Sequence, residues 1–265
     1  MPAATKLPSR WGGTGAANAI LTAMRDTSAK AVPTECPAST PAVPPACPLC
    51  GAESPAPYHT DRAREYLRCA RCALVFAHPA SRLPLLAEVM RYLEHRNDPA
   101  DEGYVRFLSL LADPLRARLP AGSRGLDYGC GPAPVLGGIL TAAGLPTVSC
   151  DPLFHPDESL LERTYDFVTC SEVLEHVHEP VALFARLAAL VRPGGRLAIM
   201  TRFHGAEAQF ATWWYRRDAT HVCFYHADTM RWIAAHFGWP LELPVPNVAL
   251  FTVTHAAQPR TPLVR

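Results

Sequence analysis

A glycine-rich turn wedged between an apolar run and an amphipathic segment constrains this chain more than any other feature. Leu126-Asp127-Tyr128-Gly129-Cys130-Gly131-Pro132-Ala133-Pro134 closes a strand predicted over Arg124–Tyr128 and opens a helix predicted over Pro134–Ala143. Glycine at 129 and 131 lets the backbone turn sharply and come close to a ligand. The amides at the helix start then face a ligand anion. From about residue 121 onward, short apolar runs alternate with amphipathic helices, the pattern of a parallel βαβ sheet. Further strands are predicted over Thr147–Cys150, Tyr165–Cys170 and Arg196–Thr201, and helices over Pro180–Val191 and Ala227–Phe237. Pro193-Gly194-Gly195 is read as the stop of the first of these helices. Leu241–Val245 and Val248–Thr254 read as a terminal hairpin turning at Pro246-Asn247.

Asp151 closes the second strand, 20 residues after Gly131. A carboxylate there can accept hydrogen bonds from both hydroxyls of a ribose. A dinucleotide turn wants a third glycine where Pro134 stands, so a nicotinamide oxidoreductase is the weaker fit. The acidic-x-G-x-G-x-G turn that binds S-adenosylmethionine fits better, through Asp127, Gly129 and Gly131, with Ala133 in place of the last glycine.

With these motifs the chain resembles the class I S-adenosylmethionine-dependent methyltransferases, in the broad group that includes the ubiquinone-pathway O-methyltransferases. Leu126–Ala133 matches the first motif of that family and Asp151 its ribose-binding acid. Tyr165–Val177 resembles the fourth-strand motif and Leu190–Met200 the fifth, so the resemblance covers roughly 121–255. It implies a Rossmann-like α/β sheet. It also implies S-adenosylmethionine held by Asp127, Tyr128, Gly129, Cys130, Gly131, Asp151, Pro152, Leu153, Cys170, Ser171 and Glu172. One departure stands out: only 14 residues separate Asp151 from Asp166, where a helix and strand usually fit. The third strand is therefore expected to be shortened or missing, with Leu153 and Phe154 left to cover adenine.

Methyl transfer is an in-line displacement at a sulfonium carbon, for which an enzyme supplies mainly proximity and orientation. An O–H or N–H acceptor must also lose a proton, often to His or a carboxylate. Ser171 and Glu172 leave the fourth strand at its carboxyl end, where ligands bind in such sheets, and Glu175 and His176 begin the next helix. Residues 201–226 are too long for a plain loop. They carry Trp213, Trp214, Tyr215, Phe224 and Tyr225, and read either as a substrate lid or as a plug for the sheet end. Asp218-Ala219-Thr220-His221 resembles a D-x-x-H pattern of these methyltransferases, which makes His221 the first candidate for general base. Glu172 and His176 are the other catalytic candidates. Tyr104, in the helical stretch before the core, is a more distant one.

Cys47-Pro48-Leu49-Cys50 and Cys69-Ala70-Arg71-Cys72 form a second constellation. Two C-x-x-C pairs at this spacing can close tetrahedrally around a structural Zn²⁺; two disulfides or redox thiols are the alternative. His59 lies in the intervening loop and could replace a ligand. So small a unit cannot bury enough surface alone, which makes folding the metal's expected role.

The layout expected is a Pro/Ala-rich leader over 1–46, a zinc knuckle over 47–76, a helical cap over 77–120 and a methyltransferase domain over 121–258. Six prolines between Pro33 and Pro48 mark the leader. The longest uncharged run, Tyr128–Cys150, contains eight Gly or Pro residues and is not expected to span a membrane. Lys6 and Arg10 precede only a diluted apolar stretch, so a cytoplasmic location is expected over a secreted one.

Lys+Arg 25 against Asp+Glu 24 gives a net charge of +1, with no general pull on nucleic acid or an anionic surface. A small-molecule acceptor is therefore expected. The alternatives are RNA (rRNA or tRNA) docked through the knuckle and, from another class, a non-catalytic zinc interaction module. Retention of Asp127, Gly129, Gly131 and Asp151 speaks against the last. The acceptor atom and the oligomeric state are left open by the sequence.

Overall fold

In the computed structural model the described residues are 45–94 and 96–254. The leader expected over 1–46 lies outside them up to residue 44, as does the end of the last domain beyond 254.

Three short antiparallel strands come first: β1 (Ala56–Thr60), β2 (Glu65–Arg68) and β3 (Val75–Ala77). Helices α1 (Leu85–Tyr92) and α2 (Glu102–Arg116) follow. Asp101 caps α2, its carboxylate accepting from the backbone N–H of Gly103 (2.7 Å) and Tyr104 (3.2 Å). Leu108, Leu111, Ala112 and Leu115 recur on one face of α2 and are buried. Burial of each such leucine stabilises the fold by about 1.5–3 kcal/mol.

The larger sheet is built from β4 (Gly125–Tyr128), β5 (Thr147–Cys150), β6 (Tyr165–Ser171) and β7 (Val191–Met200), with helices α3 (Val135–Ala142) and α4 (Pro180–Ala189) between them. After β7 come α5 (Glu207–Thr212), the two-residue β8 (Cys223–Phe224), α6 (Ala227–Phe237), β9 (Leu241–Glu242) and β10 (Val248–Val253). The strand order is β5-β4-β6-β7-β10-β9. The first four are parallel, and β10 runs antiparallel to both β7 and β9.

Strand alternation sends Phe167, Ala198 and Met200 toward α2 and α3, and Val168, Leu197 and Ile199 toward α4 and α6. The result is a helix–sheet–helix sandwich with apolar cores on both faces. β5 is the edge strand. Only a 3-10 turn over Glu158–Glu162 lies between it and β6, so the strand expected to be shortened or missing is absent among the described residues.

Two local expectations differ from the structure. Helix α4 stops at Ala189, and Pro193-Gly194-Gly195 belongs to β7. The pairing of β6 with β7 shifts register between Tyr165↔Val191 and Phe167↔Arg196, so the Pro-Gly-Gly stretch is absorbed as a bulge at the strand's start.

The cysteine-bearing hairpins also do not pack alone. β8 pairs with β3 through Val75↔Phe224 and Phe76↔Cys223, giving a second sheet of order β1-β2-β3-β8. Arg64 donates to the carbonyls of His221 (2.9 Å) and Ala219 (3.4 Å), and Arg216 pairs with Asp61. Residues 47–76 and the segment 201–226 are thus tied together within one compact unit.

Candidate functional site

The carboxyl ends of the parallel strands open onto a cavity of about 620 Å³, the edge at which such sheets bind ligands. The β4 turn forms one wall. Gly129 (φ 76°) and Gly131 (φ 68°) adopt left-handed backbone. A Cβ on Gly129 would lie 2.4 Å from Val173 Cγ2, and one on Gly131 would lie 2.6 Å from Asn97 Nδ2. Conformation favours glycine at both positions, and at Gly129 the packing of Val173 does so as well.

Asp151 ties the two loops of this end together. Its Oδ2 accepts from the Gly131 N–H (2.9 Å), and its Oδ1 from the N–H of Leu153 (2.9 Å) and Phe154 (3.0 Å). A carboxylate offers about four lone-pair sites, so roughly one remains for a ligand hydroxyl. Asp127 is buried and accepts from the Thr169 hydroxyl at 2.8 Å. Burial raises its carboxyl to about 6. Asn97, from the loop between α1 and α2, donates to the Cys130 carbonyl at 3.2 Å and covers the turn.

Asp127, Tyr128, Gly129, Cys130, Gly131, Asp151, Pro152, Leu153, Ser171 and Glu172 all line the cavity, as does Phe154. Cys170 does not. Alternation along β6 buries its side chain in the cluster that contains Phe184 and Leu187 of α4, so its expected place beside the cofactor is corrected.

The other end of the cavity gathers acids and imidazoles. Glu172 leaves β6 with φ 52°, a left-handed conformation that an L residue adopts at a cost of about 1–2 kcal/mol. The Tyr215 hydroxyl donates to its Oε2 at 3.2 Å, while Oε1 is buried without a hydrogen-bond partner among the described residues. Burial, with the neighbouring Glu175 charge, pushes the Glu172 carboxyl well above the usual carboxylate range.

Glu175 follows three residues later, in a 3-10 turn over Leu174–His176, and is buried. Its Oε2 accepts from the Thr201 hydroxyl at 2.9 Å, and its Oε1 lies 4.0 Å from His176 Nε2. His221 Nδ1 lies 2.7 Å from the Tyr215 carbonyl oxygen. A carbonyl only accepts, so Nδ1 carries the hydrogen and Nε2 the lone pair. Burial pushes His221 down to about 4, which keeps it neutral at pH 7. One donor atom from each of Glu175, His176 and His221 lies within 4.8 Å of the others.

Tyr92, Tyr104, Phe107, Trp214 and Tyr215 wall this end, together with Arg202. In segment 201–226 Phe210, Tyr215, Phe224 and Tyr225 are buried, as a plug requires, while Trp214 lines the cavity and stays 58% exposed. Asp218 accepts from the Thr220 N–H (2.9 Å) and hydroxyl (2.7 Å), which shapes the turn that delivers His221. Glu175 carried a readable signal, since Glu172-Val173-Leu174-Glu175-His176 is contiguous. Tyr92, Phe107 and Arg202 carried none, because each arrives from a separate element.

The four cysteines converge as their spacing implies. Cys47 Sγ and Cys72 Sγ lie 3.5 Å apart, Cys50 Sγ and Cys69 Sγ 3.4 Å apart, and all four sulfurs fall within 4.8 Å of one another. Metal–thiolate bonds of about 2.3 Å in a tetrahedron set sulfur pairs about 3.8 Å apart, so the donor set fits such an ion. The two knuckles are built alike: Gly51 N–H donates to the Cys47 carbonyl and Ala73 N–H to the Cys69 carbonyl, both at 2.9 Å. His59 rests against Tyr66 and Phe210 and takes no part in the cluster.

Among the described residues no helix is long and apolar enough to cross a membrane. A family model described as a methyltransferase domain matches residues 92–242. A ubiquinone biosynthesis O-methyltransferase of Xanthomonas axonopodis pv. citri is 37% identical over 111 residues, covering 33% of this chain and 46% of that protein. One of Proteus mirabilis is 33% identical over 94 residues, covering 36% and 38%. The chain thus spans less than half the length of these curated relatives. Among solved structures, a Burkholderia thailandensis 1,6-didemethyltoxoflavin-N1-methyltransferase with bound S-adenosylhomocysteine superposes with a TM-score of 0.44 at 19% identity, covering 74% of this chain and 97% of that one.

Proposed function

Because this chain belongs to the methyltransferase domain family, we propose that it moves the methyl group of S-adenosylmethionine to a hydroxyl of a small molecule held at the aromatic end of the cavity. The observation that carries this reading is the convergence of Glu172, Glu175, His176 and His221 on one end of a cavity whose other end is the glycine turn. The names of the ubiquinone-pathway relatives support an oxygen acceptor.

In this reading Asp151 takes a ribose hydroxyl with its remaining lone pair, and Leu153 and Phe154 flank the adenine. The amides of the glycine turn face the amino-acid part of the cofactor. Transfer needs the acceptor oxygen aligned behind the methyl and relieved of its proton. Glu172, whose affinity for a proton is raised by burial, is the base. His221, neutral and fixed by the Tyr215 carbonyl, accepts a hydrogen bond or a cation at Nε2.

Carboxylate and imidazole donors at Glu175, His176 and His221 suit a divalent cation. Such an ion would act as a Lewis acid on the acceptor hydroxyl. Cys47, Cys50, Cys69 and Cys72 are proposed to hold a structural zinc that fixes the sheet to which β8 belongs.

The test is transfer of labelled methyl from S-adenosylmethionine to a panel of catechols and phenols, beside total RNA. Label in the small molecules is expected. Label confined to RNA, and lost as salt is raised, would overturn the small-acceptor reading.

A further inference from the structure

Arg202 stands two residues beyond the end of β7, inside the cavity wall. Its guanidinium carbon lies 5.2 Å from the centroid of the Phe107 ring and 4.9 Å from that of the Trp214 ring. Phe107 comes from α2 and Trp214 from the rim segment, so two elements far apart in sequence clamp one cation. Among the described residues Arg202 makes no hydrogen bond and no ion pair, and its Nε is buried without a partner.

Two other arginines of this region are already engaged. Arg64 donates to backbone carbonyls, and Arg216 pairs with Asp61 and caps the carbonyls of Phe210 and Ala211. A guanidinium is planar, and cation–π contact with two aromatic rings leaves its N–H donors in one plane for an oxyanion to meet with two parallel hydrogen bonds. Desolvation by a ligand at this position strengthens that pairing.

We infer that the acceptor carries an oxyanion, a carboxylate or a phosphate, which Arg202 pairs in the clamp of Phe107 and Trp214 while the reacting hydroxyl faces Glu172 and Glu175. The inference rests on the small-molecule reading above and adds a charge to it. Arg202 is a specificity-determining residue in this account. It does not itself carry the proton, although its charge favours the ionised form of Glu172.

The experiment is calorimetry on the full chain loaded with S-adenosylhomocysteine. The probes are 3,4-dihydroxybenzoate against catechol, and phenyl phosphate against phenol. The wild type is expected to prefer the acid in at least one pair, and which pair shows the preference tells carboxylate from phosphate. Arg202→Gln should weaken the preferred anion about 10- to 100-fold, the scale of a lost charged hydrogen-bond pair, and compress the preference to about threefold or less. Arg202→Lys should restore part of the preference, since it keeps the charge and loses the fork.

Equal affinity for acid and neutral probe in the wild type would overturn the inference. So would an equal loss for both probes in Arg202→Gln. A matching loss of S-adenosylhomocysteine affinity would also overturn it, by assigning Arg202 to the cofactor. The underlying reading fails separately. Label transferred only to RNA, with the acid still bound through Arg202, removes the small acceptor and keeps the anion site. Label on small molecules without acid preference does the reverse.

Discussion

At the cofactor end of the cavity, backbone and side chains satisfy one another: Asp151 accepts three amides, Asp127 the Thr169 hydroxyl, and the Cys130 carbonyl the Asn97 amide. At the acceptor end, Ser171 Oγ, Glu172 Oε1, Glu175 Oε1 and Arg202 Nε are buried with no hydrogen-bond partner among the described residues. A buried polar atom left unpaired costs about 1–3 kcal/mol, so a fold that keeps several together stores instability where a ligand can relieve it. In the proposed reading the first end is a finished mould for a constant cofactor. The second is an incomplete one that its acceptor, and a cation, would complete.

That asymmetry can be broken in four places. The largest effect is expected from the cysteine cluster. Its sheet is continued by β8 and anchored to the rim segment by Arg64 and the Arg216–Asp61 pair. Structural zinc contributes on the order of 10 kcal/mol of apparent binding energy in small zinc-dependent units. Cys50→Ser should lower the zinc content below one ion per chain, lower the melting temperature and cut methyl transfer steeply. S-adenosylhomocysteine affinity should hold to within about threefold, since the glycine turn is built by the other sheet. Parallel collapse of both activities would show that the two ends are not separable.

Next is Glu172→Gln. Loss of a general base is expected to lower the rate by about 10²–10⁴-fold, read as single-turnover methyl transfer. A rate unchanged across the pH range would remove Glu172 from the chemistry.

Asp151→Ala should weaken S-adenosylhomocysteine by about 100-fold, through loss of charge-assisted hydrogen bonds and of loop order. Calorimetry reads this directly, and an unchanged affinity would show that the ribose is held elsewhere.

The smallest expected effect is a pH dependence of stability. His221 in the folded chain is pushed down to about 4, whereas in the unfolded chain it titrates near 6.5. The unfolded state therefore binds more protons between these values, and stability falls as pH drops through that window, by about 2 kcal/mol at pH 5. Denaturant titrations of His221→Asn should show this acid limb flattened. An identical limb in the variant would mean that another group titrates there.

The two ends also differ in how far the sequence revealed them. Asp127 to Gly131 is contiguous, and Asp151 follows at the end of the next strand, so strand–turn–helix logic places this wall of the cavity almost completely. The short interval from Asp151 to Asp166 likewise announced the absent strand. The acceptor end is assembled from α1, α2, the turn after β6 and the rim segment, and no local pattern reports which side chains meet there. Cys170 was misplaced because a motif gives position along a strand, whereas burial depends on which face the pleat presents. The pairing of β3 with β8 is non-local in the same way. Asp218-Ala219-Thr220-His221 pointed to an imidazole that lines the cavity, yet the burial that keeps it neutral and its bond to the Tyr215 carbonyl exist only in the folded chain.

The division of labour between the two ends is tested most directly by one pair of numbers on Glu175→Gln: the single-turnover rate of methyl transfer and the affinity for S-adenosylhomocysteine. Glu175 faces only the acceptor end, through Thr201, His176 and His221. The account predicts a rate lowered by about 100-fold or more, with cofactor affinity unchanged to within about threefold. A variant that transfers methyl at the wild-type rate, or one whose cofactor affinity falls in step with its rate, would contradict it.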